Sequence, residues 1–253
     1  MSVPDDVRTS TKRAYEAYLA KYTKLGEEPP VVISHEHILN ELKSNHEAWT
    51  RKAIPADWAQ YYHYSVKDIA ALASDPSPSS VEAAERLAQY VLVLDALNFC
   101  FWPLKGYEYE HLACSLKLAF EADPNVFSAE SLSQMTAERI SEILQPPKHL
   151  PLVGEDKPCD RVLTIPLAET RARLLREVGT VLARDFGGKA ANLLRAAQGS
   201  AENLVRLVVA HFPGFRDHAQ YAGDQVFFYK RAQIFVGDVW AAFKGTVRHD
   251  LLA

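Results

Sequence analysis

Along most of this chain, apolar residues recur at the three- and four-residue spacing of amphipathic helices. In residues 6–25, Tyr15, Tyr18, Leu19 and Tyr22 share one face, and Pro29 and Pro30 stop the pattern. The stretch V-V-I-S-H-E-H-I-L-N-E-L (31–42) reads as a short strand running into a helix from about Glu36. Pro55 and W-A-Q-Y-Y-H-Y (58–64) predict a packed loop or a short helix. After the turn cluster D-P-S-P-S-S (75–80), Ser79 and Glu82 make a capping box. The helix that follows runs through V-L-V-L-D-A-L-N-F-C-F-W. It is apolar nearly all round, which predicts a central position.

Pro103 and Gly106 break the pattern, and helix resumes near Tyr109. Two short helices are predicted within 124–145, and 146–165 is an internal loop. Leu174, Val178, Val181, Leu182 and Phe186 form the stripe of a further helix, which Gly187 terminates. Ser200 is the N-cap of a helix over 200–212. F-P-G-F-R-D is a turn. Q-Y-A-G-D-Q-V-F-F-Y (220–229) predicts a small hairpin about Gly223-Asp224, and a last helix covers about 230–243. The fold class is mainly α-helical with one small β-hairpin.

Composition changes this picture little. Of 253 residues, 48% are hydrophobic and 24% charged, as in ordinary globular chains. A net charge of -4 leaves no basic footprint for a long nucleic acid, although a nucleotide-sized ligand stays compatible. Cys100, Cys114 and Cys159 are an odd number without C-x-x-C spacing, against a disulfide framework or a structural zinc site. The polar start is unlike a secretory signal, and no apolar run approaches a membrane span. The expected location is cytoplasmic.

Several groups are candidates for chemistry. His35 and His37 would share a face only on a strand, and no third metal ligand stands nearby, so solvated polar side chains are the better reading. Asp95 and Asn98 lie in an apolar helix, as structural hydrogen-bond nodes or as part of a pocket. Phe99, Phe101 and Trp102 are core residues or a platform for a flat base. Glu108 and Glu110 form a pair of common spacing. Lys230 and Arg231 open a helix, where cations are disfavoured. Either their stems snorkel to water or an anion compensates them. A partly desolvated Lys230 would have a lowered pKa, suiting a nucleophile or proton-transfer group. Asp217 is the expected anion, and Asp238 the expected buried hydrogen-bond node.

Several of these blocks together resemble one family. L-D-A-L-N-F-C-F-W (94–102), Y-E-Y-E-H-L-A (107–113), P-L-A-E-T-R-A-R-L-L-R-E-V-G (166–179), F-P-G-F-R-D (212–217) and F-Y-K-R-A-Q-I-F-V-G-D-V-W (228–240) resemble the queuosine salvage proteins. The similarity covers roughly residues 30–245. It implies a helical fold like that of helix-hairpin-helix DNA glycosylases. It also implies hydrolysis of the N-glycosidic bond of queuosine 5'-monophosphate, releasing queuine for salvage into tRNA. No metal and no organic cofactor are implied, nor any direct tRNA, DNA or membrane contact. Lys230 takes the family's catalytic lysine position, and His63, in a His63-Tyr64 pair, is placed at the base. Asn98, Phe99, Trp102, Asp217 and Arg231 complete the expected substrate-binding set.

The family pattern continues into a stretch like F-A-D-Y-R-V-P-Q, whose aspartate is catalytic, and a later D-Y-x-L-W-D-like motif. Neither is present before the sequence ends at K-G-T-V-R-H-D-L-L-A. The expectation is therefore a single domain over 1–253 that is C-terminally truncated, with a truncated gene model preferred over a degenerate relative or a short form completed by another polypeptide. The alternative function is a non-catalytic helical binder of queuine or its nucleotide.

Overall fold

A computed structural model describes residues 3–32, 34, 36, 38, 40, 62–66 and 78–243. The helices among them are α1 (Val3–Leu25), α2 (Pro78–Leu97), α3 (Tyr109–Ala122), α4 (Ala129–Ser133), α5 (Ala137–Ile143), α6 (Ala168–Asp185), α7 (Ala190–Ala196), α8 (Ala201–His211) and α9 (Lys230–Ala242). A 3-10 turn at Pro213–Phe215 leads into strands β1 (His218–Tyr221) and β2 (Asp224–Phe227). The fold is mainly α with one small antiparallel sheet, as the periodicity predicts.

Helix α2 is central because its sequence offers no polar face. From Leu87 to Leu97 every residue is buried, and α3, α6, α7 and α9 pack around it. Two of its buried polar side chains bind neighbouring elements. Gln89 donates to the Phe127 carbonyl (2.8 Å) and accepts from the Ala190 N–H (3.0 Å), which joins α2 to the start of α7. The Tyr90 hydroxyl donates to the Ala113 carbonyl in α3 at 3.0 Å. Buried polar groups need such partners, so these bonds also fix how the helices are set against one another.

Local signals place most boundaries. Ser128, Thr136 and Ser200 accept from backbone N–H groups in the first turns of α4, α5 and α8. Gly187, at φ +57°, follows α6 as expected. Residues 146–165 contain no helix or strand. They are held by Val153 N–H on the Gly106 carbonyl (2.9 Å) and by a two-way bond between the Gln145 amide and the Leu163 backbone (2.8 and 3.0 Å).

Three expectations are corrected. Helix α2 already begins at Pro78, so Ser79 lies inside its first turn rather than before it. The hairpin turns on Ala222-Gly223, one residue earlier than expected. Both have positive φ (52° and 87°), the signature of a type I′ turn. Helix α7 was not predicted, because seven residues are too few to display a periodic stripe. The segments 31–42, 58–64 and 75–80 fall in part outside the described residues, and so do His35 and His37. Among the described residues, no helix is long and apolar enough to cross a membrane.

Helices α4 and α6 approach until backbone meets backbone at Gly179. A Cβ there would lie 2.5 Å from both the Ala129 carbonyl oxygen and the Ser133 nitrogen. Gly179→Ala is expected to destabilise the fold by about 2 kcal/mol through overpacking. Urea denaturation measures this, and an unchanged midpoint would show that α4 can retreat.

Candidate functional site

The last carbonyls of any helix lack partners within it. At the end of α2 two arginines supply them. Arg171, in α6, is only 2% exposed. It donates to the carbonyls of Leu97 (2.9 Å), Phe99 (2.8 Å), Cys100 (2.8 Å) and Pro166 (3.0 Å). Arg231, in α9, donates to the Ala96 carbonyl at 2.7 Å and to the Gly214 carbonyl. Both guanidinium groups lie over the Phe99 ring, Arg171 at 4.5 Å and Arg231 at 5.0 Å from its centre. Arg231 also stacks on Phe215 at 5.3 Å. Burial lowers the pKa of both arginines, and for Arg231 the charges of Asp217 and Asp95 oppose that shift.

The two cations that open α9 therefore have different surroundings. The head of Arg231 is held on backbone carbonyls. Lys230 is exposed, which corrects the expectation that it is partly desolvated. Asp217 does not pair with the Lys230 ammonium but organises the backbone there. Its carboxylate accepts from the Lys230 N–H at 2.9 Å, and its carbonyl accepts from Phe228 (3.1 Å) and Tyr229 (3.3 Å). An anion at this position also suits the helix dipole. Lys230, Ile234 and Asp238 follow at i, i+4 and i+8 on one face of α9, spanning about 12 Å along its axis. Beside them, a Cβ at Gly237 would meet nothing within 4 Å.

Asp238 faces Asp95 of α2. Asp95 is 0% exposed, with Asn98 as its other polar neighbour. No hydrogen bond of ordinary geometry reaches either oxygen of Asp95 or Oδ2 of Asp238. Burial, then the charge of Asp238, raises the Asp95 pKa well above the carboxylate range. Burial pushes Asp238 up to about 7. Two carboxyls in one desolvated place do not both ionise readily, so the pair shares a proton.

Next to this pair stands Tyr109, the first residue of α3. Burial, then the charges of Asp238 and Asp95, raises its pKa and keeps the phenol protonated. Its hydroxyl lies 2.8 Å from His63 Nε2. Tyr109 also borders a cavity of about 460 Å³, lined by Tyr62, Phe101, Glu108, Glu110 and His111 among others.

Of the expected site residues, the structure brings together Asn98, Phe99 and Arg231. It places His63 against Tyr109, and Lys230 with Asp217 at the start of α9. Trp102 stands apart: it is 81% exposed and takes no part in the Phe99 stack. Arg171 and Tyr109 were missed. Arg171 carried a readable signal, since it sits on the buried stripe of α6 with Leu174, Leu175 and Val178. Tyr109 carried none beyond its place in Y-E-Y-E. Among the described residues, no cluster of three or more His, Cys, Asp or Glu is placed to hold a metal, and the three cysteines are unlinked.

The family model described as queuosine salvage protein matches residues 77–251. The chain belongs to the queuosine salvage protein family. Both helices that build the site, α2 and α9, lie within that match. A Dictyostelium discoideum protein named queuosine 5'-phosphate N-glycosylase/hydrolase is 39% identical over 239 residues, covering 94% of this chain and 64% of the relative. A Sphaerobacter thermophilus protein of the same name is 37% identical over 206 residues, covering 78% and 54%. A mouse relative, also so named, is 30% identical over 64% of this chain and 48% of its own. The chain thus spans less than two thirds of the length of each of these relatives.

Two outcomes follow from this geometry. Arg171→Leu removes a buried guanidinium that donates to four carbonyls and is expected to cost about 3 kcal/mol, while Trp102→Ala changes stability by less than about 0.5 kcal/mol. Urea denaturation of both variants compares them. The acid pair also sets a pH dependence. The folded pair keeps a proton that the unfolded chain releases at about pH 4. Stability from this source is full below that pH and declines as pH rises through about 7. Asp238→Asn removes this contribution, so the two melting profiles should diverge in slope between pH 4 and 8.

Proposed function

We propose that this chain serves to hydrolyse the N-glycosidic bond of queuosine 5'-phosphate, releasing queuine. The observation that carries this reading is that two blocks of family-like sequence meet in space. Asp95, Asn98 and Phe99 come from one, and Lys230, Arg231 and Asp238 from the other. Relatives at 39% and 37% identity bear the name of that activity. The expected likeness of the fold to helix-hairpin-helix glycosylases is part of the same proposal.

In such a reaction the bond between the sugar C1′ and the base nitrogen breaks, and its electron pair leaves with the base. The base takes up a proton, and the sugar passes through an oxocarbenium-like state. Water then bonds to C1′ and gives up its proton. Fixed carboxylates stabilise the developing positive charge, and protonated groups assist the departing base. Lys230 is the proposed catalytic residue on the open face of α9. Asn98, with His63 beside Tyr109, is proposed to contact substrate. Phe99, Arg231 and Asp217 support the site through the backbone. The reading involves a small nucleotide and its base in the cytoplasm, without metal, organic cofactor or direct nucleic-acid contact. A net charge of -4 supports the last point.

One observation favours a second reading, nucleotide binding without cleavage. Lys230 is exposed, and the nearby Asp217 carboxylate already caps backbone. Incubation with queuosine 5'-phosphate and chromatography of released queuine separates the two. The hydrolytic reading expects release, and a fall in kcat/KM of at least about 100-fold in Lys230→Ala. Saturable nucleotide binding without release would establish the binding reading instead.

A further inference from the structure

Where α2 meets α9, the carboxyl oxygens outnumber the donors, even counting the proton that the acid pair retains. Both oxygens of Asp95 and Oδ2 of Asp238 are buried without a hydrogen bond of ordinary geometry. The neighbouring cations do not supply one. Arg171 directs its donors to the carbonyls of Leu97, Phe99, Cys100 and Pro166. Arg231 directs its own to Ala96 and Gly214. Among the described residues, Asn98 and, more weakly, the Arg231 charge are the neighbours that favour the ionised form of Asp95. A buried acceptor left in this state is costly, and a ligand carrying N–H donors removes the cost.

The two acids differ in access. Asp95 is fully enclosed, whereas Asp238 is half-buried. Asp238 shares the open face of α9 with Lys230 and Ile234, next to the unfilled space at Gly237. We propose that Asp238 is a ligand-contacting carboxylate and that Asp95 is a positioning residue behind it, the pair accepting N–H donors from the base of the ligand. The identity of that base rests on the proposed function. Queuine presents two groups of this chemistry: the amidine edge of its 7-deazaguanine ring and the protonated amine of its side chain.

Asp95 assists by holding the shared proton and donating it toward Asp238, which favours the ionised form of Asp238. Among the described residues, the other titratable and charged groups that interact with the pair are Tyr90 on α2, Tyr109 on α3 and Arg231 on α9. Both phenols stay neutral because burial and the two acids raise their pKa, and Arg231 stays cationic. The pair is therefore the element whose charge changes near neutrality. Ligand affinity should fall as the pH drops below its transition, by about tenfold per pH unit for one linked proton.

Calorimetric titration of the intact chain with queuine and with 7-deazaguanine, between pH 5 and 8, tests this. The wild type is expected to bind queuine more weakly toward low pH. At pH 8, Asp238→Asn should raise Kd at least about 10-fold, the loss expected for hydrogen bonds to a charged acceptor. Asp95→Asn can donate as the protonated acid does and should stay within about threefold of wild type. Asp95→Leu cannot donate and should move the pH midpoint of binding upward. Equal affinity for 7-deazaguanine assigns the contact to the amidine edge; a preference for queuine that Asp238→Asn abolishes assigns it to the amine. Absence of queuine binding, pH-independent binding by the wild type, or unimpaired binding by a folded Asp238→Asn overturns the inference. The wild-type profile decides even where a variant fails to fold. Queuine binding with the expected profile, but no cleavage of queuosine 5'-phosphate, would remove the hydrolytic reading and leave this inference standing. Cleavage and queuine binding that are both unchanged in Asp238→Asn would do the reverse.

Discussion

The structure depends on how one apolar helix ends. Helix α2 is buried along its C-terminal half, so its last carbonyls cannot turn to water. Two guanidinium groups from distant elements serve them instead, both over the Phe99 ring. Arginine suits this task because its planar fork can serve several carbonyls at once and stack on an aromatic face. Lysine, a point charge, would lose both features. Once the end of α2 is tied in this way, the chain from Asn98 to Cys100 is fixed and α6 and α9 are docked. Asp95 is then set opposite Asp238. The acid pair is thus a consequence of the arginine clamp.

Charge placement follows the same logic. Arg231 attracts the Asp95 carboxylate, yet its N–H groups point at carbonyls, so the attraction acts through space without a direct bond. Burial and the mutual charge of the two acids raise the Asp95 pKa, the Asn98 contact and then the Arg231 charge act against this, and the Asp95 contact opposes the burial of Asp238.

Much of the architecture was legible in the sequence, because long periodic stripes and serine or threonine caps act locally. The stripe of α6, the apolar run of α2 and the cap at Ser200 each needed only their own neighbours. What escaped was non-local. Nothing near Arg231 shows that its partners are Ala96 and Gly214. Nothing near Lys230 shows that Asp217 serves its N–H and leaves the ammonium exposed. Trp102 looked like part of an aromatic platform, but Cys100 has positive φ (50°) and the chain leaves the helix before Trp102. Asp95 and Asp238 could be noticed as polar residues in apolar surroundings. Their partnership needed the packing of α2 on α9. Arg171 shows how such cases can be read: a charged residue on an otherwise buried stripe marks a helix that satisfies another element.

The clamp also has a temporal side. Arg171 bonds a carbonyl 74 residues before it, and Arg231 one 135 residues before it. During synthesis α2 emerges long before either arginine. Until α6 arrives, the end of this buried helix lacks its arginine donors and has an uncovered surface. Closure over such separations is slow compared with local helix formation. The nascent chain therefore passes through an interval in which its central helix exists without its proper terminus. The acid pair cannot assemble before α9, the last described helix, has docked.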